Sequence, residues 1–274
     1  MNDCGAQNDQ CANYVPDSTE SDRIVLKQNE YKCVELISHG SGTPTITKRY
    51  SGHPKPDLDE STRYIYRSLD FFRESFSDIL LSPRPLAMDL TCYQVEMEYL
   101  SELPNAKLLS LKTLNLANDF FHRCYAIDDD RGFLRTIHGS VTVTPAAQSL
   151  LDEGFPMRLG FKGDLGQNLC LEGNRLIFAD IDSICLEPLG LSEVVLYAEL
   201  FARIHSFDNL SLLFRGTPPV PVAFQYLDLK KREQLVNAAI ERMSLYITGL
   251  PNIVQWLKRT ISGHLLGRAG LTLP

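Results

Sequence analysis

Between residues 23 and 51 the apolar positions fall into three short runs, RIVLKQ, YKCVELIS and PTITKRYS, each rich in β-branched residues and too short for a helix. A GSG turn at residues 40–42 separates the last two, so the pattern predicts an antiparallel meander with a glycine-centred hairpin. Pro54 and Pro56 close this section, and the period then changes. Tyr64, Ile65, Leu69 and Phe72 recur at helical spacing with Asp59 or Ser61 as a cap, which predicts a helix from Asp59 and a second helical stretch on to Leu80. PRPLAM then turns the chain into two more strands, the second being YQVEMEYL. Beyond Pro104, LKTLNLANDFFHRCYAI is amphipathic at the helical period, and from Ser192 onward helix-like segments dominate, broken by GTPPVPV.

Strands first and helices afterwards is the order of an α+β fold, not of alternating α/β units, and no internal repeat interrupts it. The expected organisation is a disordered polar tail over residues 1–22, a β-rich lobe over 23–100 and a mainly helical lobe over 101–274. A hydrophobic content of 44% in 274 residues supports an extensive core. The formal net charge of -7, without a dense Lys/Arg block, argues against a nucleic-acid binder whose affinity rests on phosphate neutralisation and leaves a local basic groove open. Seven scattered cysteines with no CxxC pair point to reduced thiols and a cytoplasmic location. No stretch approaches the ~18 apolar residues of a membrane span, so no transmembrane segment is expected; peripheral membrane contact and the oligomeric state stay open.

The candidate chemistry lies in FKGDLGQNLCLEGNRLIFADIDS, which places an aspartate and an asparagine in one polar loop, then a glycine turn, then an apolar run ending in two acids. Two acids after a buried-looking strand are costly unless they meet a cation or hydrogen-bond donors. If a cleft between the two regions binds a nucleotide and a hydroxyl substrate, phosphoryl transfer needs a carboxylate for the attacking hydroxyl, oxygen ligands for Mg²⁺ and a cation on the phosphates. Asp164 suits the first role, Asn168 offers an amide oxygen to the metal, and Asp180 supplies the hard carboxylate Mg²⁺ prefers. A strand pair turning at Gly173 would return Asp180 beside Asp164.

These residues resemble the protein-kinase-like superfamily, in particular its aminoglycoside, choline and lipopolysaccharide kinase branches, where a GD…N catalytic loop precedes a hairpin ending in an IDFD-like metal motif. FKGDLGQN and FADIDS are the counterparts. TITKRYSG resembles the strand of the phosphate-binding lysine, which would be Lys48; VEMEYL resembles the hinge between lobes; LANDFFHRC resembles the helix before the catalytic loop. The likeness implies a two-lobed fold, an N-terminal antiparallel sheet with one helix before a mainly helical C-terminal lobe. It also implies Met97 as gatekeeper, the backbone from Glu98 to Leu100 against adenine, and a helical glutamate paired with Lys48, for which Glu60 is preferred over Glu74.

Three departures accompany the likeness. Asn168 follows Asp164 by four positions instead of five, and Lys162 stands where His or Arg is usual. HGSGTP precedes Lys48 too closely to be a glycine-rich phosphate loop, and the region from Lys27 to Lys32 that would cover a nucleotide holds no glycine. The resemblance implies an ATP- and Mg²⁺-dependent phosphotransferase whose acceptor is a hydroxyl of a small molecule or sugar, lipopolysaccharide core included. A kinase-shaped binding module without catalysis, and a protein kinase or effector, are the alternatives.

Overall fold

The computed structural model describes residues 21–51, 55–102, 107–108, 113–127, 145–161, 165–178, 184–206 and 220–244. Most of the expected tail lies outside them, and Ser21 and Asp22, expected in that tail, open the first strand. The elements in chain order are β1 (Ser21–Gln28), β2 (Lys32–His39), β3 (Thr45–Tyr50), α1 (Lys55–Phe76), β4 (Leu80–Leu81), β5 (Pro85–Asp89), β6 (Gln94–Glu98) and β7 (Lys107–Leu108). There follow α2 (Leu114–Ala126), α3 (Pro145–Asp152), β8 (Met157–Phe161), α4 (Leu165–Asn168), β9 (Leu169–Glu172) and β10 (Arg175–Phe178). Then come β11 (Ile184–Pro188), α5 (Leu191–Ser206), a 3-10 turn at Val222–Tyr226 and α6 (Leu229–Ser244). The described residues divide into two compact units, the first holding β1, β2, β3, α1, β5 and β6 and the second the remainder.

The first unit is a five-stranded antiparallel sheet in the order β1-β2-β3-β6-β5. Gly40 turns the β2–β3 hairpin at φ +50, a conformation that glycine adopts without a Cβ clash. In α1 the buried positions are Leu58, Thr62, Ile65, Ser68, Leu69, Phe72 and Phe76, one continuous stripe at helical spacing. The hydroxyls within that stripe are satisfied locally, Thr62 Oγ1 donating to the Leu58 carbonyl and Ser68 Oγ to the Tyr64 carbonyl, both at 2.7 Å. Helix α1 contacts β5 and β6, and along β6 Val95 and Met97 are buried while Gln94, Glu96 and Glu98 are half-buried, so the helix covers the Val95–Met97 face.

The single helix Lys55–Phe76 replaces the expected pair, because its apolar stripe continues unbroken to Phe76. Leu80 belongs to a strand, and β4 pairs in parallel with β10. Asp78–Leu81, expected inside the first lobe, therefore groups with the second unit.

The second unit contains a four-stranded sheet, β4-β10-β9-β7, and a two-stranded ladder, β11-β8. Around them pack α2, with Leu114, Ala117, Phe120, Phe121 and Cys124 buried, α5, whose described side chains from Leu191 to Ala202 are all buried, and α6. The five described cysteines form no disulfide, and burial pushes the Cys124 thiol up, keeping it protonated and inert. Among the described residues no helix is long and apolar enough to cross a membrane.

Candidate functional site

Asp164 and Asp180 lie outside the described residues, but the positions on either side of them are paired. Antiparallel pairing of β8 with β11 sets Phe161 opposite Ile184, and pairing of β9 with β10 sets Leu169 opposite Phe178. The segments 162–168 and 179–183 thus leave from and return to the same two anchor points. The rings of Phe161 and Phe178 meet edge to face at 5.1 Å, and both are fully buried. Phe120 and Phe121 of α2 add ring contacts to Phe161, with centroids at 5.6 and 6.2 Å. Gly173 turns the β9–β10 hairpin at φ +57, as expected from the sequence. Asn168 is the last residue of the single turn α4, half-buried, next to the Leu169–Phe178 pair.

A buried polar network holds the end of β8. Phe161 N–H donates to Ser192 Oγ (2.8 Å), and the Phe161 carbonyl accepts from Arg242 of α6. Arg242 also pairs with Glu187 of β11 at 2.5 Å, with the two side chains 7% and 3% exposed. Glu187 accepts the Ser192 N–H (2.7 Å) and lies against its hydroxyl. It fills the space beside Gly160, where any Cβ would fall 2.2 Å from its side chain. An ion pair this dry persists only with its remaining hydrogen-bond sites satisfied, and here they are.

In the first turn of α5, Glu193 is fully buried and accepts from the N–H groups of Val222 (2.6 Å) and Ala223 (3.0 Å) and from the Tyr125 hydroxyl (3.0 Å). Burial raises its pKa to about 7, the three donors opposing that shift. Tyr197 donates to Asn118 Oδ1 (2.8 Å), and Asn118 Nδ2 donates to the Val220 carbonyl (3.0 Å), so α2 and α5 together hold the segment leading into the 3-10 turn. Sequence reasoning missed Glu187, Ser192, Glu193 and Arg242. Three glutamates, Glu187, Glu193 and Glu199, inside the otherwise apolar ICLEPLGLSEVVLYAEL were the available signal, since acids in a buried run demand partners.

In the first unit Lys48 is the buried residue of β3 opposite Val34 of β2 and Val95 of β6. Ile46 and Met97 are paired on the same face, as are Ile46 and Leu36. Val34, Leu36 and Ile46 are half-buried, and Met97 and Leu100 are buried. The Glu98 N–H donates to the Arg84 carbonyl (2.9 Å), and its carboxylate stands 3.6 Å from Arg73. Glu60 is exposed on α1, and the expected Lys48–Glu60 pair is not formed. The reason is helical phase: Glu60 follows Leu58 by two residues and so points away from the buried stripe. That stripe carries no carboxylate among its described residues. Lys48 and Asn168 stand in separate units.

No protein-family profile matches the chain, and no curated protein matches it. Solved structures do. An ethanolamine kinase of Plasmodium vivax superposes with a TM-score of 0.51 at 9% identity, covering 88% of this chain and 81% of the kinase. The choline kinase LicA of Streptococcus pneumoniae gives 0.45 at 11% identity over 91% and 94% of the two chains. The macrolide 2'-phosphotransferase MphH of Brachybacterium faecium gives 0.43 at 9% over 90% and 84%. On the strength of the first of these, the fold is the α+β fold of that ethanolamine kinase, with an N-terminal antiparallel sheet and a helical C-terminal part.

Proposed function

We propose that the chain is an ATP-dependent phosphotransferase that moves the γ-phosphoryl group to a hydroxyl of a small molecule or sugar. The observation that carries this reading is the double bracket in the second unit. Phe161–Ile184 and Leu169–Phe178 tie together the ends of the two segments that hold Asp164, Asn168 and Asp180. Segments anchored in this way suit the parts that in-line transfer needs. Asp164 would orient the acceptor hydroxyl and take its proton, and Asn168 and Asp180 would hold Mg²⁺, whose charge would offset that developing on the phosphates. Lys48 would hold the phosphates. The half-buried apolar Val34, Leu36 and Ile46 on its face suit an adenine ring, with the backbone from Glu98 to Leu100 at the ring's edge and Met97 behind it.

The acceptor classes to try are amino alcohols, the substrate named for the ethanolamine kinase, and sugars, lipopolysaccharide core included. Purified protein incubated with γ-labelled ATP and Mg²⁺ should transfer label to one of these acceptors in preference to water. Label retained on ATP with every acceptor, together with a melting temperature that millimolar ATP and Mg²⁺ raise, would replace this reading by a nucleotide-binding module without catalysis. The four-residue spacing of Asp164 and Asn168 favours that second reading. Label appearing on protein would point to a protein kinase.

A further inference from the structure

The first strand is irregular at one place, and the irregularity decides where a charge points. From Ser21 to Val25, β1 pairs with β2 in one register, Val25 opposite Glu35; from Lys27 the register shifts, and Lys27 stands opposite Val34. Leu26 is the extra residue of a β-bulge. In the unshifted register Leu26 would oppose Val34 and Lys27 would oppose Cys33, on the other face of the sheet. The bulge therefore brings Lys27 into the row Lys27–Val34–Lys48–Val95, which crosses four strands. Lys32, two residues before Val34 and opposite Tyr50, shares that face.

The carboxylates, though not the basic residues, are sorted between the two faces, Arg23 and Arg49 lying with the glutamates. Lys27, Lys32 and Lys48 lie on one, near the β1–β2 turn. On the other lie Glu35, Glu96 and Glu98, with Arg49 reaching Glu35 at 3.4 Å and His39 standing 3.9 Å from Glu96. Among β1, β2, β3 and β6, Asp22 is the lone carboxylate of the lysine face, at its opposite end against Ser38. Three lysines thus share one face of a sheet in a chain of net charge -7, and Lys27 and Lys48 are separated by two strand spacings, about 10 Å at the Cα atoms. The turn between β1 and β2 has no glycine; Asn29 closes it, accepting from the N–H groups of Tyr31 (2.9 Å) and Lys32 (2.8 Å).

We infer that Lys27 and Lys32 bind the polyphosphate of the nucleotide beside Lys48, supplying by side-chain ammonium groups the donors that a glycine-rich loop supplies by backbone amides. The inference rests on the nucleotide reading above and goes beyond it in naming the phosphate contacts. Lysine on a flexible stem suits this task, because it presents charge to a phosphate without demanding a fixed backbone path.

The test is calorimetric titration of Mg²⁺-ATP and of adenosine into wild type, Lys27→Gln, Lys32→Gln and Arg23→Gln, the last an equal charge change on the opposite face of β1, where Arg23 opposes Ile37. Lys27→Gln and Lys32→Gln should each weaken ATP about tenfold, equivalent to about 1.4 kcal/mol, leave adenosine unchanged, and reduce the salt dependence of ATP binding. Arg23→Gln should bind ATP as wild type does. If ATP binds wild type and both lysine variants equally, the inference falls and the nucleotide reading stands. If wild type takes up neither ATP nor adenosine, the nucleotide reading falls, and tripolyphosphate decides the rest: binding that Lys27→Gln weakens keeps the anion face, and absent or unaltered binding removes it.

Discussion

Arg242→Met tests whether the end of β8 is held as the geometry implies. The substitution removes the cation that meets Glu187 at 2.5 Å and the donor to the Phe161 carbonyl, and it leaves a carboxylate 3% exposed without its counter-charge. Stranding one member of such a pair costs about 3–5 kcal/mol, which lowers the melting temperature by roughly 6–20 °C for a chain of this size. Adding Glu187→Gln removes the stranded charge and keeps an amide oxygen for the Ser192 N–H, so the double variant should melt above the single one. Urea unfolding of wild type, both single variants and the double closes the cycle. A loss below about 1 kcal/mol in Arg242→Met, or a double variant less stable than Arg242→Met, would refute the assignment of this pair as a dry, mutually dependent unit.

Glu193 gives a pH signature. Its folded pKa of about 7 stands above the unfolded carboxylate value of 4.5, so the folded state keeps a proton that the unfolded state has released between those values. Stability from this group is full below pH 4.5 and is lost as pH rises through 7, a change of about 3 kcal/mol that Glu193→Gln should not show; equal pH slopes in the two proteins would count against it. Gly190→Ala should destabilise by roughly 2–5 kcal/mol, because φ is +87 and the new Cβ would lie 2.3 Å from that of Ala223. Gly154→Ala, at φ +75 but facing open space, should cost only about 1–2 kcal/mol in the same unfolding assay. Equal losses would show that the close approach to Ala223 does not matter.

The parts of the fold legible in the sequence are those governed by local period. The alternation of VEMEYL appears as buried Val95 and Met97 between half-buried glutamates, and the stripe from Tyr64 to Phe72 is part of α1. The turns at Gly40 and Gly173 follow from the one residue that adopts positive φ freely. What was not legible depends on partners distant in the chain. LL at Leu80–Leu81 becomes a strand only because β10 lies beside it, and helical propensity alone extends α1 over it. The place of Glu60 in an amphipathic segment favours it over Glu74, whereas its exposure follows from phase relative to Leu58. Glu187 and Arg242 stand 55 residues apart, so neither period nor motif links them. The bulge at Leu26 is a tertiary event, and the face taken by Lys27 follows from it.

The most direct test of the account joins binding to transfer in Asp164→Ala and Asp180→Ala. With Mg²⁺-ATP titrated calorimetrically and label transfer measured on the same preparations, Asp164→Ala should bind ATP as wild type does and transfer no phosphoryl group, and Asp180→Ala should lose the Mg²⁺-dependent part of binding. Wild-type rates of transfer in both variants would contradict the proposed chemistry at its centre.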